Sequence, residues 1–173
     1  MIITSLKTNH MDRPLGFQMD NVTISYIVEE TRAKKQEAAQ VMVALDEGFT
    51  DLIYDSGKSS GIDSIAYRLP IELKPRTRYY WKVKVWADNG EEAESEVTWF
   101  ETPKGKEEGW KGYWITPKYD KDIHPIMKKE IEITKPVKQV RAYMVGLGSY
   151  CLLYTSFLEP KIIKECMIPF IRL

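Results

Sequence analysis

The feature that most constrains the fold is a stretch of period-two sequence, LKPRTRYYWKVKVWADNG, at residues 73–90. Apolar residues occupy one parity and mostly charged residues the other, which is typical of a long half-buried β-strand. The inner parity holds Leu73, Pro75, Thr77, Tyr79, Trp81, Val83, Val85 and Ala87. The Asp-Asn-Gly sequence at 88–90 then predicts a turn, and EEAESEVTWFET predicts the returning strand.

The hydrophobic pattern also predicts the register of this hairpin. A three-residue loop at residues 89–91 keeps apolar residues opposite one another, whereas a two-residue loop would place a glutamate on the inner face, where its desolvation is costly. The three pairs predicted by the longer loop are Trp81 with Trp99, Val83 with Val97, and Lys84 with Glu96. A β-bulge would exchange the places of Trp99 and Phe100.

Short strands separated by turn residues recur upstream. We predict strands in MIITSLKTN, VTISYIVEE, QVMVALD, LIYDSG and SIAYRLPIEL, with ETRAKKQEAA as a solvated loop before QVMVALD. Together with the hairpin this gives about seven strands in about 100 residues, a spacing typical of an antiparallel β-sandwich. The predicted fold class is therefore all-β.

The segment PKGKEEG at residues 103–109 is polar, charged and glycine-containing, and it predicts a linker. We place a sandwich domain at residues 1–103, the linker at 104–109, and the start of a second β domain at 110–150. Because a sandwich takes about 100 residues, the second domain is predicted to be incomplete.

Composition narrows the range of functions. The chain has 25 Lys and Arg against 25 Asp and Glu, so no basic stripe predicts nucleic-acid binding. Its apolar runs are shorter than a membrane span, and its first residues lack the pattern of a signal peptide, so we expect a cytoplasmic protein without a membrane partner. Two cysteines, Cys151 and Cys166, are too few and too isolated for a zinc site, and we predict no metal or cofactor.

The alternation from Leu73 to Val83, with a tyrosine near the start of a late strand, resembles the end of a fibronectin type III or immunoglobulin-like sandwich. In that fold such a tyrosine forms the "tyrosine corner", and by position the residue is Tyr79. The resemblance implies that the Tyr79 hydroxyl bonds to the backbone a few residues upstream and fastens the loop around Lys74 and Pro75.

Several segments narrow the resemblance: TNHMDRPLGF, QVMVALDEGFTDLIYDSGK, ELKPRTRYYWKVKVWADNGEEAESEVTWFET, GWKGYWITP and VRAYMVGLGSY. In this order they resemble the N-terminal portion of bacterial α-L-rhamnosidases. Tyr26 departs from that pattern, where tryptophan is more frequent. The resemblance implies a fibronectin-like sandwich, then a jelly-roll-like domain, then a helical toroid that carries the catalytic acids. It also implies that the partners are the catalytic domain of the same chain and, for the complete enzyme, rhamnose-containing glycosides.

The sequence departs from that pattern after VGLGSY, where it continues CLLYTSFLEPKIIKECMIPFIRL. Because CLLYTS resembles one reading frame of a library adapter, we expect residues 151–173 to be a sequencing or assembly artefact. The alternative is a divergent hydrophobic C-terminal strand.

The residues present do not predict catalysis. Hydrolysis with inversion needs two carboxyl groups about 6.5–9.5 Å apart, one of them held protonated. Glu91 and Glu92 lie at a hairpin tip and Glu29 and Glu30 at a strand end, so we expect solvated acids with ordinary pKa values. Turn residues are the better interpretation of Asp55 and Ser56, and surface or turn residues that of His10 and His124. The Gly-Leu-Gly at 146–148 is too short for a phosphate loop.

Aromatic residues give the candidate contact sites. Tyr80 and Trp86 lie on the outer parity, and the predicted register adds Phe100 to them. This face is either a platform on which sugars stack or, as we favour, a surface that packs against a neighbouring domain. Trp110 and Trp114, just after the linker, are predicted to anchor an inter-domain contact.

Three functions follow from these features. The leading interpretation is a non-catalytic N-terminal portion of an α-L-rhamnosidase, inactive by itself. The alternatives are a stand-alone fibronectin-like module that binds carbohydrate or protein, and an extracellular adhesion module.

Overall fold

A computed structural model describes residues 1–109, 111–115, 126–132, 136, 141, 143, 149–150, 153–154 and 162–171. The chain divides into two compact units, Met1–Trp110 and Lys111–Leu173. The described residues form strands and turns without a helix, and the named strands pair antiparallel. The prediction of an all-β antiparallel sandwich is confirmed.

The first unit contains eight strands in two sheets. The strands are β1 (Ile2–Thr8), β2 (Thr23–Glu29), β3 (Gln36–Ala44), β4 (Leu52–Asp55), β5 (Tyr67–Arg68), β6 (Arg78–Ala87), β7 (Glu92–Glu94) and β8 (Thr98–Glu101). One sheet has the order β1-β2-β5. In the other, β4 pairs with β3 and β3 with β6, while β7 and β8 pair with successive parts of β6. Leu15 adds an isolated parallel bridge to Glu101, the last residue of β8.

The core lies between the two sheets and is built from the inner parities of their strands. On β6, the residues from Tyr79 to Ala87 alternate between buried and half-buried, as the sequence predicts. On β2, the predicted alternation is also confirmed, since Ile24 and Tyr26 are buried while Ile27 is exposed. The indole nitrogen of Trp81 donates to the Thr8 hydroxyl at 3.1 Å, which satisfies a buried polar group on each of β6 and β1.

The predicted loop before β3 is partly wrong. β3 starts at Gln36, so the second half of ETRAKKQEAA belongs to the strand. Ala39 is buried opposite Val85, and Gln36 accepts a hydrogen bond from the Tyr26 hydroxyl. Small alanines and one satisfied glutamine are compatible with a buried strand, although their helix propensity and polarity suggested a solvated loop.

The predicted hairpin register is wrong by two residues for β7 and by one for β8, because the turn comes one residue earlier than predicted and a bulge follows it in the returning strand. Ser95 donates its backbone N–H to the Val83 carbonyl at 2.8 Å, and its hydroxyl accepts the Val83 N–H at 3.0 Å. The observed pairs are Lys84 with Glu94, Trp81 with Thr98, Tyr80 with Trp99, and Tyr79 with Phe100.

The shift exchanges the faces of four residues, Val97, Thr98, Trp99 and Phe100. Phe100, expected outside, is fully buried at 0% exposure, whereas Val97, expected inside, is 38% exposed. Trp99 takes a half-buried place on the outer face. The exchange is the one that a bulge was predicted to cause.

The second unit contains the strands β9 (Ile126–Glu132), β10 (Ser149–Tyr150), β11 (Leu153–Tyr154) and β12 (Ile162–Ile171). β12 pairs antiparallel with each of the other three. β12 falls within residues 151–173, and the expectation that this segment is an artefact stays a prediction. The Gly-Leu-Gly at 146–148 and His124 lie outside the described residues.

Candidate functional site

Tyr79 joins the core of the first unit to the loop before β6. Its ring stacks on Phe100 with 5.1 Å between centroids, and its hydroxyl accepts the Lys74 backbone N–H at 2.7 Å. The Thr102 hydroxyl donates to the Lys74 carbonyl at 2.6 Å and accepts the Thr77 N–H at 2.9 Å. Both backbone groups of Lys74 are therefore held, and this tyrosine has a geometry suited to support rather than to chemistry.

The face of the larger sheet that points away from the core, the outer face below, carries three aromatic residues that contact cations. The Arg78 guanidinium lies 3.9 Å from the centroid of the Trp99 ring. The Lys82 ammonium lies 4.8 Å from the ring of Phe49. The two remaining contacts, of Lys84 at 5.0 Å and Lys58 at 4.6 Å, are both with Trp86. These distances are those of cation–π interactions.

Three of these four cations are also paired with carboxylates. Arg78 pairs with Glu101 at 3.0 Å, Lys82 with Glu94 at 2.7 Å, and Lys84 with Glu92 at 2.9 Å. The outer face is consequently a ladder of carboxylate, cation and aromatic ring along β6. Each of these three carboxylates forms an ion pair with a cation of the same face.

The acids at the hairpin tip are ionised more readily than expected. A hydrogen bond from Thr31, supported by one from Asn89, lowers the pKa of the Glu91 carboxyl. A hydrogen bond from Lys84 lowers the pKa of Glu92. The prediction of ordinary pKa values is wrong for these two acids, because both accept hydrogen bonds. The direction is opposite to that needed by a catalytic acid at neutral pH.

The described part of the first unit has two open depressions on its surface. One, of about 280 Å³, is lined by Leu45, Ile53, Pro70, Ile71, Glu72, Lys74 and Tyr79. The other, of about 160 Å³, is lined by Met1, Val28, Thr31, Ala33, Lys34, Lys35, Gln36, Val85 and Ala87. Neither lining contains two carboxyl groups, so neither depression has the paired acids that glycoside hydrolysis requires.

The other candidate residues lie in turns or at strand ends and have no partner arrangement that indicates catalysis among the described residues. Asp55, the last residue of β4, accepts the Gly57 N–H at 2.8 Å, and the Ser56 hydroxyl donates to the Gly57 carbonyl at 2.8 Å, so both side chains bond to the local backbone as predicted. His10 is exposed in a turn. No group of three potential metal ligands occurs within the part of the chain that is described. Those residues also include no helix with the length and apolar character of a membrane span.

Tyr80 and Trp86, the predicted contact residues on β6, are half-buried on the outer face. Trp114 is 66% exposed, and Trp110 lies outside the described residues. The inter-domain contact assigned to these two tryptophans stays a prediction.

Sequence reasoning missed Lys58 and Phe49, which reach the outer face from loops. Period-two alternation places residues on a strand face, but it has no information about which loop folds over that face. The signal for the remaining ladder was present, because cations and aromatics share the outer parity of β6 and acids lie at both ends of β7.

Comparison with known proteins gives a family for most of this unit. Residues 3–105 match the family described as "Rha78A-like, N-terminal immunoglobulin domain". An α-L-rhamnosidase of Streptomyces avermitilis is 35% identical over 120 residues, covering 66% of this chain and 12% of the relative. An α-L-rhamnosidase of Formosa agariphila is 30% identical over 175 residues, covering 82% of this chain and 18% of the relative.

Solved structures agree with the sequence comparisons. The structure of an α-L-rhamnosidase from Dictyoglumus thermophilum matches with a TM-score of 0.72 at 26% identity, covering 97% of this chain and 24% of that one. The crystal structure of the Streptomyces avermitilis enzyme complexed with L-rhamnose matches with a TM-score of 0.55 at 33% identity, covering 59% of this chain and 10% of that one. The chain thus spans less than a quarter of the length of each of these relatives.

Proposed function

Because the chain belongs to the family of Rha78A-like N-terminal immunoglobulin domains, we propose that it is a non-catalytic supporting module of an α-L-rhamnosidase. The sequence resemblance to the N-terminal portion of these enzymes is confirmed by the relatives and structures above. The single observation that carries the proposal is the family match over residues 3–105.

The reaction proposed for the complete enzyme is hydrolysis of terminal α-L-rhamnose from glycosides, with inversion. We assign this reaction to the parts of the relatives that this chain does not match. The partners of the module are then a catalytic domain and, through it, rhamnose-containing glycosides. The cytoplasmic location expected from the first residues stays a prediction, which fractionation of the producing cells would test.

The organisation of the acids supports a non-catalytic role. Glu92, Glu94 and Glu101 are each paired with a cation, and the depressions of the first unit lack paired carboxyls. A general acid must instead keep its proton near neutral pH.

The purified 173-residue chain, incubated with p-nitrophenyl α-L-rhamnopyranoside, is expected to release p-nitrophenol no faster than buffer does. The Streptomyces avermitilis relative is the positive control. Saturable release by the chain alone would contradict the absence of catalysis.

The supporting role needs a separate experiment. Deleting the matching N-terminal region from the Streptomyces avermitilis relative is expected to lower its melting temperature, while turnover per folded molecule is retained. Replacing that region with residues 1–105 of this chain should restore the melting temperature. An unchanged melting temperature after the deletion would show that the domain does not support the enzyme.

A further inference from the structure

The end of the outer face next to the hairpin turn has an indole flanked by two ammonium groups. Trp86 lies opposite Ala38 on β3, and Ala38 is only 5% exposed although it is on the outer parity. A bulky neighbour must cover this alanine, and Trp86 is its cross-strand partner. The ammonium groups of Lys58 and Lys84 lie 4.6 Å and 5.0 Å from the centroid of the indole ring.

Lys58 differs from the other cations of this face. Arg78, Lys82 and Lys84 each have a carboxylate partner, whereas Lys58 makes no ion pair with the residues that the structure describes. Glu92, whose pKa is lowered in part by the charge of Lys58, is already hydrogen bonded to Lys84 at 2.9 Å. Asp55 is also occupied, since its carboxylate accepts from Gln40 and Gly57.

We propose that Trp86 and Lys58 form a subsite for a sugar that carries a carboxylate, such as a uronic acid residue. The apolar C–H face of a pyranose ring stacks on the indole, and the sugar carboxylate pairs with the Lys58 ammonium. The choice of a sugar, rather than another flat anion, rests on the proposed function, because the relatives act in carbohydrate chemistry by name.

The energetics allow Lys58 to leave the ring. A cation–π contact at an exposed site is weak. A charge-assisted hydrogen bond to a carboxylate is the stronger interaction for an ammonium group. Since Lys58 is exposed and its loop side chain is long, a bound carboxylate offers the ammonium a stronger partner while the sugar takes its place over the indole.

The opposite end of the outer face does not offer the same site. The ring of Trp99 is covered by Arg78, whose partner Glu101 has a side chain only 4% exposed. Moving Arg78 away would take an ion-pair partner from that buried carboxylate, which is unfavourable. Trp86 lies six positions along β6 from Tyr80, the pair of Trp99, so the two ends lie about 20 Å apart.

The test uses the 173-residue chain and two probes, a trigalacturonate and its neutral methyl ester. Binding is followed by the indole N–H resonance of Trp86, which is identified by its disappearance in Trp86→Phe. We expect a saturable shift of this resonance with the acid and about tenfold weaker binding of the ester, the ratio produced by one charge-assisted contact. In Lys58→Gln the preference for the acid over the ester should be lost, and in Lys58→Arg it should be kept.

Lys7→Gln is the matched control, because Lys7 is an exposed lysine of the smaller sheet. This variant should bind both probes as the unmodified chain does, and the melting temperature of every variant shows that it is folded. Equal binding of acid and ester, no shift of the Trp86 resonance, or an effect of Lys7→Gln equal to that of Lys58→Gln would overturn the subsite. The rhamnoside assay and the deletion experiment do not involve this binding, so either proposal can fail without the other.

Discussion

A single hydroxyl, that of Tyr79, connects the core of the first unit to a loop that has no regular structure. The ring is buried against Phe100, so the hydroxyl is carried into a region where an unpaired polar group would be costly. Lys74 provides the partner through its backbone N–H, and Thr102 holds the carbonyl of the same residue. The loop is therefore positioned by side chains rather than by a strand ladder.

Replacing Tyr79 by phenylalanine keeps the stacked ring and removes only this hydrogen bond. We expect the free energy of unfolding to fall by about 1–2 kcal/mol, the effect of losing a part-buried hydrogen bond. Urea denaturation followed by far-ultraviolet circular dichroism measures the change. Tyr80→Phe, on the outer face, is the control and should change stability by less than about 0.5 kcal/mol. If the two variants changed stability equally, the hydrogen bond from Lys74 to the Tyr79 hydroxyl would not stabilise the fold as proposed.

Asp46 provides a second prediction, for the turn between β3 and β4. Its carboxylate accepts the backbone N–H groups of Asp51 at 2.6 Å and Thr50 at 3.1 Å, and the bond from Asp51 is the larger cause of a pKa below its ordinary value of 3.8. A group whose pKa is lowered by folding stabilises the protein above its unfolded pKa and loses that effect as the pH falls through the folded pKa.

The stabilisation by Asp46 should therefore be complete at pH 7 and disappear as the pH falls from about 4 towards 2. Asp46→Asn is expected to melt at a lower temperature than the unmodified chain at pH 7, with the difference shrinking in acid. Calorimetry at a series of pH values measures it. A difference that is constant across this range would mean that the charge of Asp46 does not stabilise the turn.

At the scale of elements, the hairpin of β6 with β7 and β8 shows how one residue changes a strand face. Ser95 makes two hydrogen bonds to Val83 and leaves the regular ladder, so β8 continues in a register that differs by one residue from that of β7. Because side chains alternate with period two, this places Phe100 in the core and Trp99 outside.

The register makes opposite predictions for two apolar residues. Phe100→Ala is expected to lower the free energy of unfolding by about 3–5 kcal/mol, because it leaves a cavity beside Tyr79. Val97→Ala, at an exposed position of the bulge, should cost less than about 1 kcal/mol. Chemical denaturation of the two variants measures both values. A larger effect of the Val97 variant would favour the register predicted from hydrophobicity.

At the scale of the whole molecule, the first unit has a core of its own. Each buried residue of its hydrophobic cluster lies between Met19 and Phe100, and both sheets are completed within the first 101 residues. The segment after β8 also folds back, since Arg76 pairs with Glu108 and Lys106 with Asp20. These contacts are within the first unit and need nothing from the second.

Residues 1–109 should therefore fold alone. We expect a single cooperative thermal transition and well-dispersed amide resonances from this segment, because a sandwich of about 100 residues can bury a sufficient core. Trp81→Ala in the same segment, which removes a fully buried indole, should abolish or severely weaken the transition. A broad, non-cooperative transition of the unmodified segment would show that it depends on the rest of the chain.

The sequence by itself predicted the succession of strands along the first unit, the inner parity of β2 and β6, and the family. When only one face of a strand is buried, the alternation of apolar and polar residues shows which side chains point inward. The inner face can therefore be predicted without coordinates. The resemblance to α-L-rhamnosidases likewise rests only on sequence segments and on their order along the chain. The catalytic inactivity, the inter-domain tryptophans and the nature of residues 151–173 stay predictions.

Only the tertiary structure decided the register of the hairpin, the early start of β3, and the surroundings of Trp86. The Ser95 bulge is formed by hydrogen bonds to Val83, and the pattern of apolar and polar residues does not predict these bonds. Lys58 is 28 residues from Trp86 in the chain, yet its ammonium lies 4.6 Å from the indole ring. Contacts of this kind depend on how loops fold over a sheet. The alternation of apolar and polar residues within a strand cannot predict which distant part of the chain packs against it.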